Sequence, residues 1–452
     1  LEEKIMEINI FIDLLFKKAK ERCLENFEIY YTSSKSSSIK VFNQEVDSYS
    51  DSNSQGISFR VMENGKMGYS YTESISETEI DFLINEALEN ASIIENDDIE
   101  EIFGGEKEYK KLELYNPDLE AVSIGDKISL LMNTEKNTTE MDSKIKRVNY
   151  CVFGNGSSTR IIKNSKGLNL SEKGNSAYIY ISVVAEADGV TKSGSAFRVS
   201  NDFSLFNADN IAKEAVEDAV AKLNPISIES KQYEVIFKNE AFASMLGAFT
   251  GIFSSDNVQK GISKLKEKLG SAIASEKVTI VDNPHMKNGM ASSSFDAEGV
   301  PTQYKEIVKN GVLTNYFYNL KTAKKDGVNS TGNASKGGYK GTLGISPSNF
   351  YMKEGETSFE ELLESLNNGV LITSLSGLHS GLNSISGDFS LASEGFLIAD
   401  GKISSPLKQI TVSGNFFELL KEIDLLGDDL KFGLSPVGAP SVLVSNLNIS
   451  AD

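Results

Sequence analysis

Histidine is nearly missing from this sequence. Its 452 residues hold two, His285 and His379, and neither lies in a helical pair of the HExxH kind. A zinc centre needs three or four His, Cys or carboxylate ligands whose spacing brings them together, and two distant histidines do not supply that. Asp296 and Glu298 share an extended segment of the same unit as both histidines, but Gly299 marks a turn there, and a structural role is expected. Cysteine is as scarce. Cys23 sits in a helical pattern and Cys151 in a strand pattern, so both are expected to be free thiols of a reducing compartment rather than part of a disulfide framework. The N-terminus is acidic through Glu2, Glu3 and Glu7, unlike a secretory leader. The expected location is the cytoplasm, where the sequons at Asn137, Asn155 and Asn329 carry no meaning.

Long apolar runs are also lacking. None approaches the roughly 18–20 residues of a membrane span, so no membrane partner is expected. Nor are there dense basic clusters: 45 Lys and Arg stand against 64 Asp and Glu, for a net charge of −19. The densest basic stretch, Lys260 to Lys268, contains Glu267 and fits a solvated helix face. Without Lys/Arg clusters to neutralise phosphates, no nucleic acid partner is expected.

What is present is an ordinary globular composition, 40% hydrophobic and 24% charged, at a length that predicts two to four domains. The pattern predicts an α+β fold: N-terminal α/β units, then a large antiparallel, barrel-like β domain with flanking helices. Residues 1–95 form the first α+β domain, with a helix over 5–22, strands near 28–31 and 38–42, and a hairpin turning at Asn64-Gly65. Ser76 and Glu79 predict a capping box for the next helix. Residues 96–117, acidic and glycine-paired, form a linker. Residues 118–226 form a middle α+β domain, with strands near 145–153, 158–164, 167–171 and 176–187. Residues 227–452 form the β-rich domain, with helices over Asn239 to Phe253 and near 256–270. Asn310-Gly311, Asp326-Gly327, Asn368-Gly369 and Asp400-Gly401 are expected turns between its strands. A second capping box is expected at Ser358 and Glu361.

Catalytic motifs fail one by one. Gly154 and Gly156 lack the third glycine and the following helix of a dinucleotide cradle. Gly377-Leu378-His379-Ser380-Gly381 places serine fourth, where a nucleophile elbow needs it third. Three blocks nevertheless carry a pattern in order and spacing: Ala291 to Val300 with Lys309 to Leu313; Ser330-Thr331-Gly332-Asn333-Ala334; and Gly387 to Phe396, leading through Asp400-Gly401-Lys402 to Ser413-Gly414-Asn415. With Gly56 to Gly68 they cover nearly the whole chain, which resembles the TldD/PmbA family.

That resemblance implies a two-subunit metallopeptidase that degrades or processes unfolded or small peptides. It also carries the label of a modulator of DNA gyrase. One subunit type holds zinc through a helical H-E-x-x-x-H and a later cysteine; the other, PmbA or TldE, does not. Here the metal-motif positions fall on Gly247, Ala248 and Ile252, and the cysteine position near Phe432–Leu434. The resemblance therefore implies the subunit without zinc, with no catalytic residue or cofactor of its own. Its partners would be a zinc-bearing TldD-like homologue and peptides, or a second copy when that homologue is absent. His379, Ser380, Asp388 and Ser390 are candidates for peptide or partner contact. Two other functions stay open: an independent hydrolase with an unconventional site around His379, Ser380 and Asp388, and a non-proteolytic peptide-binding or regulatory module.

Overall fold

The computed structural model describes residues 7–95 and 100–451; Ile5 of the first expected helix and Asp97 and Asp98 of the acidic run lie outside them. No helix among the described residues is long and apolar enough to cross a membrane.

The chain opens with α1 (Ile8–Glu21), β1 (Phe27–Phe42), β2 (Glu45–Glu63), β3 (Lys66–Thr72) and α2 (Thr78–Ile93). After the short α3 (Pro117–Ala121), the order helix, three strands, helix returns as α4 (Ile124–Met141), β4 (Ile145–Asn164), β5 (Asn169–Ala187), β6 (Val190–Ser200) and α5 (Ala208–Ala221). The six strands make one antiparallel sheet, β3-β2-β1-β4-β5-β6, so the order reads the same outward from the β1–β4 seam. Successive side chains of a strand point to opposite faces. Phe27, Ile29 and Tyr31 of β1 pack with α1 and α2, and Ile39 and Val41 with α4 and α5. The alternate residue Tyr30 packs instead with Ile162 of β4 and with Phe295, Ala297 and Ala334 of the C-terminal half. That half therefore covers the sheet face the helices leave free.

In the C-terminal half, β7 (Lys231–Phe237) enters α6 (Asn239–Ala248), a 3-10 turn (Thr250–Phe253) and α7 (Ser255–Gln259). Then come β8 (Ile280–Asp282), β9 (Lys305–Lys309), β10 (Val312–Leu313), α8 (Leu320–Asp326), β11 (Ala334–Lys336), β12 (Leu343–Ile345), β13 (Phe350–Met352) and α9 (Phe359–Leu366). The chain ends with β14 (Gly369–Ser376), β15 (Asp388–Ala399), β16 (Lys402–Pro406), β17 (Ile410–Asn415), α10 (Phe416–Lys421), β18 (Ile423–Leu426), β19 (Lys431–Phe432), β20 (Val437–Ala439) and β21 (Val442–Ala451). Strands β14, β7, β21, β17 and β15 pair in sequence, and β15 pairs back to β14. The ring closes into the expected barrel-like sheet, with β16 and β18 attached outside it. Only β7 and β14 run parallel within the ring. A second sheet, β10-β9-β8-β13-β20-β19, stands beside it. Phe242, Met245 and Leu246 of α6 share one core with both sheets.

Several local expectations need correction. The polar run Thr32–Ser38 continues β1 rather than breaking it, because β2 and β4 pair with it on both sides. The strands expected near 145–153 and 158–164 are likewise one strand, β4. The helix near 256–270 stops at Gln259: Gly261 takes φ +73°, and of the apolar residues there Val258 and Leu265 are buried while Ile262 and Leu269 are exposed, so they do not form one buried helical face. Ser76 and Glu79 form no capping box. The N-cap is Glu77 with no side-chain bond, and the Glu79 carboxylate accepts from the Thr72 hydroxyl at 2.8 Å. Asn310-Gly311 and Asp400-Gly401 turn hairpins with both φ positive, but Gly327 is the left-handed C-cap of α8 and Asn367 ends α9. The Ser358–Glu361 capping box is present.

Gly68 of β3 shows why the β2–β3 hairpin carries a glycine beyond its turn. A Cβ there would lie 1.8 Å from the Ala87 carbonyl oxygen of α2. Gly194 of β6 meets α5 the same way, 2.3 Å from the Ala219 nitrogen. Gly68→Ala must push α2 off the sheet and should destabilise the protein by about 1–3 kcal/mol, read as a lower urea midpoint; an unchanged midpoint would contradict the close approach.

Candidate functional site

The positions to which the resemblance assigns the metal motif lie at the end of α6 and in the 3-10 turn after it. Gly247 lies near the end of α6, where a Cβ would come 3.8 Å from the Val437 side chain. Ala248 is half-buried and Ile252 is buried in the core. The fold packs α6 against β19 and β20 and so brings the segment around Phe432 to the helix. Gly, Ala and Ile side chains carry no ligating atom, and none of these three positions suits a zinc ion. Among the described residues no group of three or more His, Cys, Asp or Glu is arranged to hold a metal. What sits beside α6 is an ion-pair chain. Lys431 Nζ lies 2.7 Å from Glu240 and 3.3 Å from Glu214, and Glu214 also takes Arg198 at 2.5 Å, tying α6 and β19 to α5.

A groove of about 790 Å³ runs between the N-terminal sheet and the C-terminal half. Ser33, Ser34, Ser54, Ser157, Ser158 and Ser292 are among its lining residues. At its edge Arg160 of β4 donates through Nη2 to Glu172 (3.1 Å), Ser293 Oγ (2.7 Å) and the Phe295 carbonyl (2.6 Å), with its guanidinium 4.5 Å from the centre of the Phe295 ring. The Ser294 N–H donates to the second Glu172 oxygen at 2.8 Å. The block Ala291 to Val300 is thereby fastened to the sheet.

Deeper in this interface lies a buried charged cluster. Glu28 of β1 accepts from Arg60 Nε at 2.8 Å and from Asn164 at 3.3 Å. Asp296 accepts three backbone N–H bonds, from Glu298, Val300 and Ala334, as a carboxylate closing a turn does; Gly299 takes φ +81° in that turn. Glu298 accepts from the Leu320 N–H at 2.8 Å. Burial raises both acids. It lifts Glu298 to about 8, with the Asp296 charge pushing the same way, and Asp296 less, because its N–H donors hold the charge. Lys336 donates to Ser58 Oγ at 3.0 Å over the rings of Tyr30 and Tyr69. Burial first, then Arg60, holds it down to about 7. Shifted groups gathered at one cavity mark a candidate functional site.

Sequence reading missed Arg60, Glu28 and Lys336. The available signal was alternation: in Phe27-Glu28-Ile29-Tyr30-Tyr31 and Ile57-Ser58-Phe59-Arg60-Val61 the polar residues share the second sheet face, which passes for a solvent face until the C-terminal half covers it.

The other candidates lie elsewhere. His379 and Ser380 are exposed in the loop joining β14 and β15, and Asp388 and Ser390 are exposed at the start of β15. The loop is a tight turn, with Gly377 at φ +81° and the Gly381 N–H donating to the Gly377 carbonyl at 2.7 Å. The Ser380 hydroxyl faces that same carbonyl at 3.5 Å. Asp388 accepts from Asn415 at 2.8 Å, and that bond, with Ser386, holds its carboxyl below the usual range. The structure thus sets His379 and Ser380 on the loop and Asp388 and Ser390 on the strand that follows it, and joins Asp388 to Asn415. His285 lies apart, half-buried, with Nε2 3.1 Å from Thr302 Oγ1.

Comparison with known proteins accounts for nearly all of this chain. Residues 27–91 match the model of PmbA/TldA metallopeptidase domain 1, residues 117–223 the central domain and residues 230–451 the C-terminal domain. A Haemophilus influenzae protein named metalloprotease PmbA homolog is 26% identical over 431 residues, 94% of this chain and 92% of that protein. An uncharacterised Methanocaldococcus jannaschii protein is 30% identical over 410 residues, 89% and 91% of the two chains. Among solved structures, a Thermotoga maritima protein described as a candidate modulator of a DNA gyrase superposes with TM-score 0.92 at 33% identity, over 98% of this chain and all of that one. Thermococcus kodakarensis TldE gives TM-score 0.89 at 22% identity, over 97% of this chain and all of that one, a likeness of fold. With its three domain models in order and its motif blocks at the turns, seams and close approaches of this fold, the chain belongs to the PmbA/TldD (PmbA/TldA) metallopeptidase family.

Proposed function

We propose that this chain is the PmbA/TldE-type subunit of a cytoplasmic two-subunit peptidase. It pairs with a zinc-bearing TldD-like homologue, acts with it on unfolded or small peptides, and holds no zinc itself. The observation that carries the reading is the end of α6 and the 3-10 turn after it: at the positions the resemblance assigns to the metal motif they offer Gly247, Ala248 and Ile252, packed into or against the core. A chain without the metal has neither a metal-bound hydroxide nor a Lewis acid with which to attack an amide, so cleavage falls to the partner. The serine-lined groove supports a role in holding peptide, because hydroxyls bond main-chain groups whatever the side chains. The exposed loop bearing His379 and Ser380, with Asp388 and Ser390 at the start of β15, is open to the partner or the substrate.

The test is reconstitution. Incubated alone with zinc, the purified chain should cleave no peptide; mixed with a TldD-like homologue from the same source, it should yield chelator-sensitive cleavage and co-elute with that homologue. Chelator-sensitive hydrolysis by the lone chain would overturn the reading. His379→Ala should leave the activity of the complex intact, and a large loss would favour a site on the β14–β15 loop instead.

A further inference from the structure

The buried charged cluster surrounds a cavity of about 310 Å³ between the N-terminal sheet and the C-terminal half. Sites for small molecules run from about 300 to 1,000 Å³, so the space suits a compact ligand. Arg60 lines it and is 7% exposed. Its Nε is engaged by Glu28, but its Nη2 is buried and has no hydrogen-bond partner among the described residues. An unmet donor on a buried cation is costly, and native structures seldom keep one without a reason.

Lys336 faces the same cavity. Its amine has a neutral partner, Ser58, and two aromatic faces; among the described residues no carboxylate pairs with it. Glu28 is taken by Arg60 and Asn164, and Glu298 by the Leu320 N–H. Two neighbouring basic side chains therefore look into one space with donors to spare. Met67, Leu343 and Ala297 give that space apolar wall. Glu100, Glu101 and Glu298 also line it, so a second negative charge on a ligand would be repelled.

The geometry points to a binding site for a small organic monocarboxylate, one oxygen on Arg60 Nη2 and the other on Lys336 Nζ, with its apolar part against Met67 and Leu343. This site is independent of whether the chain is a peptidase subunit.

The experiment is calorimetric titration of the full chain with propionate, alanine and dialanine, and with inorganic phosphate for comparison. At least one carboxylate should bind and raise the melting temperature. Its affinity should fall at least about tenfold in Lys336→Met, checked for folding by circular dichroism. Arg60→Lys, which retains a cation for Glu28, provides a second test, and loss in either folded variant supports the site. Absence of binding by all three carboxylates up to about 10 mM, binding unchanged in both variants, or tighter binding of phosphate would each overturn it.

Discussion

Asp282→Ala should cost this protein about 3–5 kcal/mol of stability, the range for removing one partner of a buried ion pair. Asp282 of β8 is fully buried, and Lys305 of β9 is 7% exposed. One carboxylate oxygen accepts from Lys305 Nζ at 2.8 Å and from Asn333 Nδ2 at 2.9 Å; the other accepts from the Ser348 N–H at 2.6 Å. Truncation leaves an ammonium, one N–H of the Asn333 amide and a backbone N–H without their acceptor in a dry space; the other amide N–H keeps the Ser346 carbonyl. Lys305, whose pKa burial already lowers against the pull of Asp282, would escape by shedding its proton. The damage should spread, because Asn333 also accepts from the Thr331 hydroxyl and precedes Ala334, whose N–H holds Asp296 at the interface. Chemical denaturation gives the loss directly. The double variant Asp282→Leu, Lys305→Met should recover most of it, since replacing both partners removes the orphaned charge. A single-variant loss below about 1 kcal/mol, the scale of an exposed pair, would show that the pair is not sealed from water.

Legibility followed the range over which each signal acts. Turns are local: Asn64-Gly65 and Asp400-Gly401 place two adjacent residues at positive φ, and their chemistry shows in two letters. Amphipathic helices are nearly as local, so α4 and α5 each start directly after a capping side chain, Ser123 and Asn207. Pairing partners are not local. The run Thr32–Ser38 has no apolar alternation and is extended only because β2 and β4 flank it. The repeated helix–three strands–helix unit is carried by element order and by one glycine at each helix crossing, Gly68 and Gly194, a signal too sparse to stand out in composition. The family blocks were legible as a pattern, but their work was not. Gly395 is there because a Cβ would meet the Leu371 carbonyl at 2.0 Å where the barrel closes, and Asp296 because a turn needs an acceptor. The charged cavity was hidden for a related reason: Arg60 and Glu28 stand at positions that alternation assigns to water, and only the docked C-terminal half removes the water.

Glu298→Gln should make the protein more stable than its parent at pH 9 and leave the two nearly equal at pH 5. Burial and the adjacent Asp296 raise Glu298 from 4.5 to about 8 in the folded state, while Arg60 and the Leu320 N–H oppose them only in part. The folded protein therefore binds a proton that the unfolded chain releases. Stability from this group is complete below about pH 4.5, declines as pH rises toward 8, and is lost above that, by about 5 kcal/mol at roughly 1.4 kcal/mol per unit. Glutamine stands in for the protonated acid: it carries no charge, keeps an oxygen for the Leu320 N–H, and does not titrate. Lys336, in the same cavity, works the other way. Held down to about 7 from 10.5, it makes folding more favourable as pH rises through that interval, so the parent's own curve mixes two opposed slopes. The difference between variant and parent at each pH cancels the lysine to first order and leaves the glutamate. Urea midpoints at pH 5, 7 and 9 should open progressively in favour of Glu298→Gln. Parallel curves would mean that Glu298 is ionised in the folded protein throughout, with Arg60 as its counter-ion, and the Arg60 guanidinium would then be fully satisfied by protein without any ligand.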